Sequence, residues 1–239
     1  MSFARYLKYK DSGVQWLGEV PEHWEVKPLK KLAALQTGMT PPTDDFDNYT
    51  DDETFHWIRP EDLNETGEPT TASKFLTEKG WAQSRQISTG SSLICCIGTI
   101  GKVGFILDQV STNQQITAVT PHRSKRYFFY TISAARSVLE LTSTGNVLRI
   151  LNTERLGNVA FPSPSEFDAL QIAAFLDRET AKIDGLVAEQ RRLMTLLKEK
   201  RQAVISHAVT RGLNPDAPHE AIRYRMAGRC AGELEDKTH

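Results

Sequence analysis

The sequence predicts an α+β protein: a globular domain with a mainly antiparallel sheet, followed by one long coiled-coil α-helix. Three observations carry this. Up to residue 163 the chain consists of short apolar runs punctuated by Gly, Pro and Asn; no proline occurs between Pro164 and Pro215; and within that proline-free stretch apolar residues recur at a 3-4 spacing. A length of 239 residues allows one full domain and an accessory element. With 39% hydrophobic and 25% charged residues, the composition is that of a globular protein and excludes collagenous, disulfide-scaffold and disordered classes. The longest apolar stretch, residues 93–97, is far short of the ~20 needed to span a membrane, and the start MSFARYLKYKDSG has no apolar signal region. A cytoplasmic protein without membrane contact is expected.

Taken in order, Ser92-Leu-Ile-Cys-Cys-Ile97 reads as a buried strand, with Lys102-Val-Gly-Phe-Ile-Leu107 as its hairpin partner across residues 98–101. Gln115-Ile-Thr-Ala-Val119 is a third strand. Residues 127–141 carry Phe128, Ile132, Ala135 and Leu139 at helical spacing and predict one helix. Ser165 with Asp168 forms a capping box after Pro162 and Pro164, and Arg211-Gly212 supplies a basic last turn and a C-cap glycine. One helix of about 46 residues fits between them, on the order of 70 Å long. Its seam runs through Ile172, Leu176, Glu179, Ile183, Leu186, Gln190, Leu193, Leu197, Lys200 and Val204. A domain of ~160 residues has a radius of gyration near 15 Å, so a rod this long is expected to need a partner helix. Ile172, Leu176, Ile183, Leu186, Leu193, Leu197 and Val204 are therefore the candidate dimerisation residues. The expected organisation is a globular domain at 1–163, a helical dimerisation and spacer region at 164–213, and a mobile tail at 214–239.

The formal net charge is −1, so any nucleic-acid contact must rest on local charge. That charge is uneven: residues 44–53 hold six acids and no base, whereas 111–139 hold Arg123, Lys125, Arg126 and Arg136 and no acid. Catalytic patterns fail on inspection. Around Gly98-Thr-Ile-Gly101-Lys102 a phosphate loop would need glycine where Cys96 stands and a hydroxyl residue where Val103 stands, and the Gly-x-Gly of a dinucleotide fingerprint is missing. Asp216, Glu235 and Lys237 match a nuclease set only in composition, because no strand pattern holds them. The six histidines and three cysteines lack zinc-site spacing, and Thr40-Pro-Pro-Thr43 lacks the amide and ring that grip a flipped base. A non-enzymatic chain with no metal and no cofactor of its own is expected.

Three further groups of residues point to a family. Tyr9-Lys-Asp-Ser-Gly-Val-Gln-Trp-Leu-Gly-Glu-Val-Pro-Glu-His-Trp-Glu-Val26 is a long and unusual string; Gly98-Thr-Ile-Gly101-Lys102, Asn113-Gln114 and Leu151-Asn152 are landmarks; Gln171-Ile-Ala-Ala-Phe-Leu-Asp177, Thr180-Ala-Lys-Ile-Asp184 and Val209-Thr-Arg-Gly-Leu213 follow in the helical region. Together they resemble the specificity subunits of type I restriction-modification systems. The resemblance implies a target recognition domain that reads double-stranded DNA and docks a modification (methyltransferase) subunit and a restriction (translocase and nuclease) subunit. S-adenosylmethionine, ATP and Mg are then used by those partner subunits. Family members usually carry two recognition domains and two helical regions, so this chain resembles a half-length form, expected to act as a homodimer on a bipartite target.

Base edges are read by donors and acceptors and phosphates by cations. On that basis the candidate DNA-binding residues are Thr37, Arg59, Lys102, Gln114, Arg123, Lys125, Arg126, Asn146 and Arg149. Lys102 and Gln114 stand out because they lie within the landmarks, while Arg123, Lys125, Arg126 and Arg136 suit phosphates. Two rival readings are a scaffold subunit whose long helix assembles a complex without touching DNA, and the recognition portion of a fused restriction-methylation enzyme.

Overall fold

A computed structural model describes residues 6–66 and 68–212. Its centre is a four-stranded antiparallel sheet of β4 (Ala33–Thr37), β9 (Ser92–Cys95), β10 (Val103–Phe105) and β12 (Ile116–Pro121), in the order β10-β9-β12-β4. The predicted hairpin and third strand are both present. β9 is apolar at every position after Ser92 because both faces of this sheet are covered. Leu93 and Cys95, with Ile116 and Ala118 of β12, join one core; Ile94 and the following Cys96, with Val103, Phe105 and Val119, join the other. The first core is closed by a five-stranded sheet of β5 (Tyr49–Thr50), β7 (Phe75–Leu76), β6 (Phe55–Ile58), β11 (Val110–Thr112) and β8 (Gln86–Ile87), with α1 (Glu78–Ala82) leading into β8. Within this sheet β6 and β11 pair in parallel and the other described pairs are antiparallel. The second core is closed by α2 (Lys125–Ala134), α3 (Arg136–Thr142), α4 (Thr153–Asn158) and the start of α5 (Glu166–Arg211).

The helix expected over 127–141 is two helices. The chain breaks at Ala135, with φ −81° and ψ 4°. Thr131 Oγ1 and Ser133 Oγ donate to the carbonyls of Tyr127 and Phe129, both at 2.9 Å, and hydroxyls bonding four residues back bend helices in this way. The apolar spacing survives the break: Phe128, Ile132, Ala135 and Leu139 are all buried.

Two small antiparallel pairs bring the chain ends of the domain together. β1 (Tyr9–Asp11) pairs with β2 (Glu19–Pro21), and β3 (Glu25–Pro28) pairs with β13 (Ala160–Ser163), which leads directly into α5. Ser165 caps α5 as its spacing predicts, its Oγ accepting from the Asp168 N–H at 3.1 Å. The other limb of the box is redirected. The Asp168 carboxylate takes His23 Nε2 at 2.9 Å, Ser165 Oγ at 3.0 Å, and Trp24 Nε1 and the Tyr6 hydroxyl at 3.3 Å each. At the far end the Gly212 N–H bonds the Ala208 carbonyl at 3.1 Å, and the helix spans 46 residues.

Compactness divides the chain between Leu186 and Val187, inside α5. The reason lies in α5's first turns. Ala169 and Ala173 are small enough to bring the helix into the core, and Ile172 packs against the same cluster, so this seam residue is covered by its own domain. Leu176 is half-buried. Further along, Ile183, Leu186, Leu193, Leu197 and Val204 are 46–67% exposed. The tail expected at 214–239 lies outside the described residues.

Candidate nucleic-acid interface

The sheet pairing places the C-terminal ends of β4 and β9 beside the N-terminal ends of β12 and β10, so four connecting segments emerge at one end of the sheet. Gly38 lets two of them touch: a Cβ there would lie 2.1 Å from Thr112 Oγ1 and 2.3 Å from the Asn113 carbonyl, and glycine has none. The Gly38 and Met39 N–H groups bond the carbonyls of Ile116 and Thr112 at 3.0 and 2.8 Å. The Asn113 side chain holds its own turn, accepting from the Gln115 N–H at 3.2 Å and donating to Gln115 Oε1 at 2.9 Å. Gln114 is thereby exposed, bonded to the Thr40 hydroxyl.

Thr37 bonds the hydroxyls of Thr117 at 3.2 Å and Thr153 at 3.0 Å, which ties α4 to the same end. The 144–152 segment joins through Leu151 N–H to the Cys96 carbonyl at 2.9 Å and Gly98 N–H to the Arg149 carbonyl at 3.2 Å. Arg149 Nη1 itself donates to the Glu140 carbonyl at 3.4 Å, and Asn146 is exposed. Lys102 Nζ reaches the Pro60 carbonyl at 2.8 Å, next to Arg59, whose guanidinium meets Glu61 at 2.9 Å and Ser73 at 3.0 Å. Thr37, Arg59, Lys102, Gln114, Asn146 and Arg149 therefore share one end of the domain.

The other predicted cations do not join them. Lys125 donates to the Thr89 carbonyl at 2.7 Å, at the opposite end of the sheet, and Arg123 is exposed nearby. Arg126 serves the fold: its Nε meets Asp177 of α5 at 2.6 Å, and its guanidinium lies 4.9–5.1 Å from the ring centroids of Phe105, Phe129 and Tyr130. Arg136 returns to the 98–101 turn but is held by Glu65 at 2.6 Å and Glu140 at 3.3 Å.

The fold also recruits residues that the sequence reading passes over. Arg85 Nη1 bonds the Thr37 carbonyl and Gln36 Nε2 bonds the Gln86 carbonyl, both at 3.0 Å, which adds a cation and an amide to the same end. The Gln83-Ser84-Arg85-Gln86 run that supplies Arg85 carries no motif; only the β11–β8 pairing brings it here. The two described cysteines offer no nucleophile. Burial pushes the Cys96 thiol up to about 11, and Cys95 is raised by the same cause, so both stay protonated at neutral pH. Among the described residues no group of three or more His, Cys, Asp or Glu could hold a metal ion.

The result is a polar, partly cationic sheet end next to the landmark turns. The family model described as "Type I restriction modification DNA specificity domain" matches residues 21–191. The chain belongs to this specificity family. Curated relatives include the type I restriction enzyme MjaIX specificity subunit of Methanocaldococcus jannaschii, 24% identical over 207 residues, and the StySPI specificity subunit of Salmonella potsdam, 26% identical over 203. These alignments cover 83% and 81% of this chain but 46% and 44% of the relatives, so the chain spans less than half the length of either. Among solved structures, a chain of a type I R-M system is similar with a TM-score of 0.67 at 17% identity, covering 86% of this chain and 49% of that one. The HsdS subunit from Thermoanaerobacter tengcongensis gives 0.60 at 18%, covering 86% and 48%. These structures share the specificity-subunit fold. Within that fold the landmarks at 98–102, 113–114 and 151–152 all meet at the sheet end described above. The N-terminal string 9–26 meets the first turn of α5, ahead of the helical strings, through His23, Trp24 and Asp168.

Proposed function

We propose that this specificity-family chain reads double-stranded DNA with the end of its central sheet, and brings a modification and a restriction subunit to the site without catalysing chemistry itself. The observation that carries this is the convergence of Gln36, Thr37, Arg85, Lys102, Gln114, Asn146 and Arg149 at one end of a rigid, doubly covered sheet. Amides and cations held on strand ends supply donors and acceptors for base edges and charge for phosphates. Arg123 and Lys125, at the other end, would meet only phosphates beyond the bases read. S-adenosylmethionine, ATP and Mg belong to the partner subunits. The exposed seam from Ile183 to Val204 supports pairing of two copies.

The test is binding of the complex with its modification subunit to duplex DNA. Neutralised phosphates release counterions, so log affinity should fall linearly with log salt, and Arg149→Ala should reduce that slope by about one. The purified chain alone with S-adenosylmethionine should transfer no methyl group. Binding independent of both sequence and salt would favour a scaffold role instead. No helix among the described residues is long and apolar enough to cross a membrane, and the proposed site of action is the cytoplasm.

A further inference from the structure

The 144–150 segment is a built projection. Thr144 and Ile150 exchange both backbone hydrogen bonds, at 2.9 and 2.7 Å, and its base is pinned to the sheet end through Cys96 and Gly98. Gly145 sits at φ +110°, and a Cβ there would lie 2.1 Å from the Leu148 carbonyl, so only glycine permits so tight a turn. The turn carries Val147 fully exposed and Leu148 53% exposed, between Asn146 and Arg149. The Asn146 amide has no hydrogen-bond partner among the described residues.

A single exposed valine is ordinary on a protein surface. This one differs in its placement: it tips a short hairpin turn, closed by one backbone-bonded pair, beside an uncommitted amide and an arginine, at the sheet end that carries the polar cluster. The major groove admits a two-stranded ribbon. There an A·T pair alone offers both an apolar spot, the thymine C5-methyl, and the adenine N7 acceptor with its N6 donor, which a side-chain amide matches in both directions. We propose that the 144–150 hairpin enters the major groove and reads an A·T pair, with Val147 on the thymine methyl and Asn146 on the adenine edge. This rests on the DNA-reading role proposed above and adds the element, the residues and the kind of base pair.

The complex of the full chain with its modification subunit is first used to select bound duplexes from a random pool. Each thymine of the selected site is then replaced by deoxyuridine, which lacks only the methyl group. One thymine per half-site should show roughly fourfold weaker binding on replacement, the worth of one buried methyl. That penalty should vanish in Val147→Ser. Asn146→Ala should lose about tenfold of the discrimination at the same pair. Both side chains project from the fold, so circular dichroism of the variants should match the parent. An unchanged deoxyuridine pattern in Val147→Ser, or weaker assembly with the modification subunit at an unchanged selected site, overturns the hairpin assignment and leaves DNA reading intact. A parent complex that selects no sequence overturns DNA reading and the assignment together.

Discussion

Asp168 joins the N-terminal segment to the long helix, and its chemistry sets a pH dependence. Burial works to raise its pKa, but hydrogen bonds from His23, Ser165 and Trp24 outweigh burial and hold the carboxyl below the usual aspartate range. A carboxyl depressed in the folded state stabilises fully above its unfolded pKa of about 3.9, and that contribution is lost as pH falls through the folded value. Asp168→Asn should therefore lower stability by about 2 kcal/mol at pH 7, and the gap to the parent should shrink below about pH 4, as read by urea unfolding at both pH values. Arg126 is the residue whose role the sequence concealed. The window 123–136 shows a basic run, but the partner Asp177 lies 51 residues on, and the ring of Phe105 reaches the guanidinium only through packing. Arg126→Ala should cost about 2 kcal/mol of stability and leave the salt slope of DNA binding unchanged. Arg149→Ala should do the reverse.

At the scale of elements, β9 and β10 were legible because apolar runs bounded by glycine turns report burial directly. The ends of α5 were legible too, since Ser165 and Gly212 act locally. What remained hidden depends on contacts distant in sequence. The break at Ala135 comes from hydroxyls turning back on their own helix, and the covering of Ile172 comes from a core that the 3-4 spacing cannot distinguish from a partner helix. Replacing Leu186 and Leu193 with Lys should abolish pairing, at a cost of several kcal/mol for charge in an apolar seam. Both side chains are exposed in the single chain, at 67% and 46%, so the unit up to Leu186 should keep its thermal transition. Sedimentation of the double variant at the parent's mass would show that the seam does not lie there.

For the whole molecule, symmetry converts one set of reading residues into a rule about the target. If two copies pair about a two-fold axis along α5, the same loops meet the same bases in each half-site, and the helices set the length of DNA left unread between them. The landmark strings marked in the sequence the turns that meet at one end of the sheet. They did not show that Arg85 completes it, because the second sheet delivers that residue together with Gln86, to which Gln36 of the central sheet bonds. The most direct test of the account is the methylation motif produced by a reconstituted complex containing this chain as its only specificity component. The account predicts an interrupted palindrome with identical half-sites; two unrelated half-sites, or one uninterrupted site, would contradict it.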